Sequence, residues 1–269
     1  MEEFSREFQY LLLILARIIG LFATAPVFSA QGVSFRTRII LALFIAIVLQ
    51  PTVSGHMPPL PSGPGAFAFM LFGQATIGIV IGFMLLVIFT AFQLAGQIFS
   101  IQMGISFSEV LDPGADVSVP VLGTLKNTLG LLLFLTVDFR VDGLHVPAYM
   151  HMIRAMADSF IMAPTLIPDG QVLRGIFIYV DKSLGVMFIT ALKLGIPIMG
   201  ILFISSVMLG LLGRAAPQMN LMNMGIQLNI IIGTFVLFTL LPVIVPIMQD
   251  AFHRSFITMG EMFRDWPKN

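Results

Sequence analysis

GLLGRAAPQMNLMNMG, residues 210–225, separates two long apolar runs, and it is where the chain abruptly becomes polar. Arg214, Pro217, Gln218 and Asn220 fall there together. Glycine at 213 relaxes a helix and proline at 217 cannot continue its hydrogen-bond ladder, so the stretch predicts the tip of a helical hairpin. Arg214, Gln218 and Asn220 would cap the exposed carbonyls of that tip. Met219, Met222 and Met224 crowd beside it, and flexible thioethers suit either adaptable contact or plain core filling.

Composition says which medium the two flanking runs belong to. The chain has 269 residues, 57% hydrophobic and 10% charged, with a mean hydropathy of +0.97. A soluble domain carries about 25% charged residues. There is too little polar surface here to cover a soluble fold, which predicts a polytopic membrane protein. Fourteen basic and fourteen acidic residues cancel, so no broad basic field exists to attract nucleic acid. The absence of cysteine excludes disulfides, thiolate metal sites and thiol catalysis. MEEFSREFQY is acidic on balance and no small-residue cleavage site follows LLLILARIIGLF, so the first apolar run is expected to stay in the mature chain.

Crossing a bilayer core of about 30 Å takes roughly 20 apolar helical residues. Six candidate runs satisfy this, at about 10–28, 37–53, 66–92, 119–139, 176–212 and 226–249. The expectation is an all-α integral membrane protein of about six long, partly broken hydrophobic helices in one domain, 1–269. The fifth run is too long for one straight crossing and carries Asp181, Lys182, Lys193 and Pro197, which predicts a bend or break. Residues 140–170 read as an amphipathic interfacial helix, and the Pro- and Gly-rich VSGHMPPLPSGPG, 53–65, as a stiff connector. Gly73, Gly78 and Gly82 are spaced for close helix approach.

Charge placement gives a divided answer on orientation. With the N-terminus inside, Arg6, Arg140, Arg154, Arg174, Arg254, Arg264 and Lys268 lie inside, against Arg36, Arg38 and Arg214 outside. The two tightest loops, 29–38 and 213–225, favour the opposite sense. A chain that fits neither sense suits burial among partner subunits better than independent spans in lipid. Lys126, Asp181, Lys182 and Lys193 lie within or near apolar runs, where a mid-bilayer charge costs about 2.5 to 3.5 kcal/mol. Lys126 and Lys182 can also snorkel from helix ends, but Lys193 has apolar neighbours for a turn on both sides. Lys193 and Asp181 are therefore expected as buried charges.

Catalytic patterns are not found: H-E-x-x-H, G-x-S-x-G, the P-loop and the Rossmann fingerprint are all missing. Asp138, Asp142 and His145 would share one face if helical, as a carboxylate and imidazole metal site or as a wet interfacial helix; the latter is the expectation. No enzyme activity, cofactor or metal is expected.

Four stretches in order carry a family resemblance. They are RIIGLFATAPVFSAQGVSFRTRIILAL (17–43), VLDPGADVSVPVLGTLKNTLGLLLFLTVD (110–138), ALKLGIPIM with Lys193 and Pro197, and LLGRAAPQMNLMNMG (211–225). Along nearly the whole chain the pattern resembles the FliR family of flagellar export-gate proteins, with SpaR-like and EscT-like relatives in virulence secretion systems. DFRVDGLH keeps only Gly143 and His145 where the family has a Gly-His-His element, and Gly225-Ile226-Gln227 replaces its Gly-Phe-Pro.

The resemblance implies a core component of the type III secretion export gate in the bacterial inner membrane, part of the flagellum basal body. It implies a FliP-like part at about 1–175 and a FliQ-like C-terminal helical hairpin at about 176–269, wound into a helical assembly. Implied partners are FliP-like and FliQ-like subunits, an FlhB-like switch protein, the basal-body ring and exported unfolded proteins. FSEVLDPGADVSVPV, 107–121, is acidic at Glu109, Asp112 and Asp116 and kept irregular by Pro113, Gly114 and Pro120. The resemblance makes this segment, from Phe107 to Pro120, a plug in the pore; a solvated surface loop is the alternative. For the tip residues Arg214, Pro217, Gln218, Met219, Asn220 and Gly225 it implies partner contact at the pore entrance. A secondary transporter and a purely structural scaffold remain open, although no internal repeat supports the transporter.

Overall fold

The first helix shows how a mostly apolar chain still forms a specific core. In the computed structural model, which describes residues 2–29, 33–61, 63–104, 135, 138–141, 144–166, 170–215 and 221–265, α1 runs Glu2–Thr24. Its buried residues Leu13, Ile14, Arg17, Ile18 and Leu21 form one helical stripe. A short α2 (Pro26–Ser29) follows, then α3 (Phe35–Val53). Ser34 caps α3 by accepting from the Thr37 backbone N–H at 3.2 Å. A 3-10 turn at Ser54–His56 ends it, and the predicted Pro- and Gly-rich connector extends from Met57. Pro64, suited to a first helical position, opens α4 (Pro64–Gln102).

Two strands, β1 (Asp138–Val141) and β2 (Leu144–Pro147), form an antiparallel hairpin. Then come α5 (Ala148–Met162), α6 (Gly170–Ala215) and α7 (Leu221–Arg264). Apart from this hairpin the regular structure of the described residues is helical, and the protein is an all-α integral membrane protein. Among the described residues five helices are long and apolar enough to cross a membrane.

Three expectations need correction. The fifth run is one continuous helix, α6, with Pro197 inside it. A proline removes a single ladder bond, and the intact turns on either side, together with packed neighbours, keep such helices whole in apolar surroundings. The amphipathic helix predicted over 140–170 is shorter, because the hairpin takes its first part and Pro147 stands at the N-cap of α5. Asp138 and His145 consequently share no helical face: Asp138 lies opposite Pro147, and His145 opposite Arg140. Among the described residues no group of three His, Cys, Asp or Glu could hold a metal ion. The fourth predicted run, including Lys126, lies almost wholly outside the described residues.

The chain divides into two compact units. The first comprises Met1–Ile88, Leu135–Gly185 and Phe252–Asn269. At its centre the Arg17 side chain is fully buried. Its Nε donates to Gln74 Oε1 at 2.7 Å, Nη1 to Ser159 Oγ at 2.9 Å and Nη2 to the Ala163 carbonyl at 2.8 Å. The guanidinium also lies 3.9 Å from the centroid of the Phe160 ring. Gln74 Nε2 donates onward to the Pro164 carbonyl at 2.7 Å. One arginine thus ties α1, α4 and the C-terminal end of α5 together through neutral oxygens. Helices α1 and α4 approach so closely that a Cβ on Gly20 would strike the Ala75 carbonyl oxygen, and one on Gly78 the Arg17 carbonyl oxygen. Helix α5 buries Met152, Met156, Ser159 and Phe160, again one stripe.

The second unit comprises Phe89–Phe134 and Val186–Ala251. Here Gly195 faces Ile98, and a Cβ on Gly233 would collide with the Met103 side chain, so α4, α6 and α7 are in close contact.

Replacing Arg17 by Ala leaves three buried acceptors without their donor, at about 1 kcal/mol or more each. Arg17→Ala should therefore cost about 3 kcal/mol or more in total, and Arg17→Lys should recover only part, because an ammonium lacks the three-directional fork. The check is the thermal midpoint of the detergent-purified protein; an unchanged midpoint for Arg17→Ala would mean this network does not hold α5.

Candidate functional site

Two lone hydroxyls and one lone amide, all set in apolar sequence, define the inner contact of the C-terminal hairpin. Ser205 Oγ donates to Asn229 Oδ1 at 2.9 Å, and Asn229 Nδ2 donates to Ser206 Oγ at 3.3 Å. Ser206 Oγ in turn donates to the Leu202 carbonyl at 3.0 Å. Such bonds between helices in apolar surroundings fix axial register, because sliding would strand each polar group.

Beside this polar contact lies an open cleft of about 360 Å³, bounded by Ile101, Gln102 and Gly104 on one side and by Ser206, Leu209, Gly225, Ile226 and Asn229 on the other. Gly104 ends α4: its N–H reaches the Ile101 carbonyl at 3.0 Å and its φ is +79°. That left-handed backbone is one glycine adopts without a steric penalty. The chain therefore leaves α4 at the cleft, immediately before the segment that contains Phe107, Glu109, Asp112, Pro113, Asp116 and Pro120. Those six residues lie outside the described residues.

Of the hairpin-tip residues, Gly225 lines the cleft and Arg214 is exposed, one residue before α6 ends at Ala215. Pro217, Gln218, Met219 and Asn220 lie outside the described residues. Lys193 and Asp181, expected as buried charges, are both exposed on this chain, so its own helices do not supply that burial. Lys182 does find a partner, Glu261, at 2.7 Å, and Tyr179 hydrogen-bonds Asp265. Sequence reading passed over Gln102, Ser205, Ser206 and Asn229. The signal was present, since these are uncharged polar residues in otherwise apolar helices, where a polar group needs a partner.

With this geometry in place, comparison with known proteins is informative. Residues 8–255 match the family described as bacterial export proteins, family 1. The chain belongs to that family. This export protein is 30% identical over 246 residues to the flagellar biosynthetic protein FliR of Pectobacterium carotovorum subsp. carotovorum, covering 91% of this chain and 89% of the relative. It is 30% identical over 255 residues to the FliR protein of Escherichia coli strain K12, covering 94% and 92%. Against the FliR protein of Bacillus subtilis strain 168 the identity is 27% over 258 residues, covering 95% of each.

Outside the membrane-spanning helices, α5 of the export protein carries two shifted groups. Burial, with the charges of Arg154 and His253 beside it, holds the His151 imidazole below its ordinary 6.5. Burial holds the Asp158 carboxyl above its usual 3.8, and Arg154 acts in the opposite sense. The His151 ring also packs against Phe256, 5.8 Å between centroids.

Two outcomes follow from this geometry. Asn229→Leu removes both cross-helix bonds and should lower stability by about 0.6 to 1.7 kcal/mol, read as a fall in thermal midpoint; no fall would mean that apolar packing alone sets the hairpin. An imidazole depressed in the folded state contributes stability that is present above pH 6.5 and lost as pH falls below it. Asp158 has the opposite sign and acts in a window rising from 3.8. The midpoint should therefore fall between about pH 7 and pH 5.5, less steeply in His151→Gln; equal slopes in the two proteins would remove His151 as the cause.

Proposed function

We propose that this export protein is a core component of the flagellar type III secretion export gate in the inner membrane, contributing to the pore through which unfolded flagellar proteins leave the cell. The match to flagellar relatives over nine-tenths of both chains carries this reading. Helix length supports it. At 1.5 Å per residue, α4, α6 and α7, of 39, 46 and 44 residues, are about 58, 69 and 66 Å long, against a hydrocarbon core of about 30 Å. Exposed apolar side chains run from Phe177 to Leu212 along α6. That face is about 53 Å long, so a hydrocarbon core of about 30 Å covers little more than half of it, and protein neighbours are needed for the rest.

In this reading the FliP-like part at about 1–175 and the FliQ-like hairpin at about 176–269 pack among FliP-like and FliQ-like subunits, beside an FlhB-like switch protein and within the basal-body ring. The protein transports and performs no chemistry of its own. In sequence the acidic, proline-interrupted segment from Phe107 to Pro120 follows Gly104 after two residues, and its composition suits a plug that closes the pore until a substrate passes. The hairpin tip, with Arg214, Pro217, Gln218, Met219, Asn220 and Gly225, faces the cytoplasmic entrance and contacts a partner there.

Deleting the gene should abolish secretion of filament protein and motility. Arg214→Lys should impair secretion partly and Arg214→Ala severely, because lysine cannot reproduce a bidentate fork; Pro217→Ala should do similar damage by letting α6 run on. Secreted filament protein is scored beside the amount of assembled complex. Normal secretion by Arg214→Ala and Pro217→Ala at normal complex levels would reduce the tip to a helix stop. Removing 107–118 should make cell membranes leaky to ions, and unchanged conductance would favour a surface loop.

A further inference from the structure

We infer that the face of α6 around Lys193 docks against a membrane-crossing helix of a neighbouring subunit that presents an Asp or Glu side chain to the Lys193 ammonium. The inference rests on the export-gate reading and adds the chemistry of one partner contact. Lys193 is exposed, and among the described residues it makes no hydrogen bond or ion pair. Its surroundings on α6 are apolar and equally uncovered: Ile189 and Leu192 before it are 55% and 49% exposed, Ile196 and Ile204 after it 60% and 60%. A Cβ placed on Gly200 would meet nothing within 4 Å, so the face next to the lysine is open to a closely approaching backbone.

What covers this face must satisfy two conditions at once. Apolar side chains on both sides of Lys193 require an apolar cover on both sides, and the charge requires a counter-charge in that same layer. Lipid meets only one condition. With the ammonium at headgroup level, either Phe188, Ile189 and Leu192 or Ile196, Ile201 and Phe203 would face water, and all six are exposed on the chain. With the ammonium deeper, it would sit in hydrocarbon unpaired. An apolar helix carrying one carboxylate meets both conditions. Neutral oxygens hold Arg17 by meeting each direction of its planar, weakly hydrated guanidinium, but the compact, strongly hydrated ammonium of Lys193 loses more on desolvation, so the fitting cover is a carboxylate that also cancels its charge. The chain shows the required pairing elsewhere on α6, where Lys182 is matched by Glu261 of α7 at 2.7 Å.

The test uses the assembled complex in native membranes. A photo-reactive benzoylphenylalanine at Ile189 or at Ile196 should yield a protein adduct, and mass spectrometry should map it to a helix with an Asp or Glu within one turn. Lys193→Glu should lower recovery of the chain in the purified complex about tenfold or more, as expected when a buried charge pair becomes a like-charge pair. Lys193→Arg should stay within about twofold, because the charge is kept. Replacing the mapped carboxylate by Lys should restore the Lys193→Glu chain, which separates a lost contact from a failure to fold. Adducts to lipid alone, adducts to a segment without a carboxylate, or wild-type recovery of Lys193→Glu would each overturn the proposal. Secretion is scored separately: a Lys193→Glu strain that assembles and secretes normally removes this contact and leaves the export-gate reading intact, whereas normal secretion by a strain lacking the chain altogether removes that reading.

Discussion

A full positive charge held by neutral oxygens at the centre of the first unit is the constraint around which that unit is arranged. The Arg17 guanidinium is fully buried, and its three hydrogen-bond partners are an amide, a hydroxyl and a carbonyl. A desolvated cation tolerates such a place only if its donors are met with good geometry. Those donors point in fixed directions, so Gln74 from α4 and both Ser159 and Ala163 from the end of α5 must arrive at set positions. Small residues at Gly20, Gly78 and Gly82 bring the backbones close enough for that. The second unit has no counterpart among its described residues; there neutral hydrogen bonds between Ser205, Ser206 and Asn229 set the register.

The long helices differ in what they leave uncovered. In α4 most of the apolar window is buried within the chain, 61%, whereas in α6 and α7 only 22% and 17% is. A helix pair this uncovered cannot be an end state in water, and its length exceeds what one bilayer can cover. Fold and proposed function meet at this point, since apolar surface beyond the reach of lipid calls for protein neighbours.

Much of this architecture was legible in the sequence. Apolar run length placed five of the six predicted crossings on described helices, and the ends erred short because α4, α6 and α7 continue into polar residues beyond their apolar runs. The Gly78 and Gly82 spacing was readable because small residues have one dominant use between helices. The β-hairpin at Asp138–Pro147 was missed, because charged and apolar residues there fit a helical wheel as readily as a strand. The buried arginine was visible only as part of a motif: Arg17 sits in an apolar run, but nothing local says that its acceptors come from residues 57 and 142 positions away. The same holds for the cleft, whose walls join Gln102 to Asn229 across the chain.

The collisions that a Cβ would cause at Gly20 and Gly78 involve backbone atoms of the facing helix. A side-chain clash can be relieved by shrinking the neighbour, but a carbonyl oxygen is present whatever residue carries it. No second substitution nearby can compensate for a larger residue at either position. Suppressor searches starting from such variants should return true revertants or shifts of whole helices, and the interface between α1 and α4 is therefore a part of the sequence that cannot drift by paired exchange.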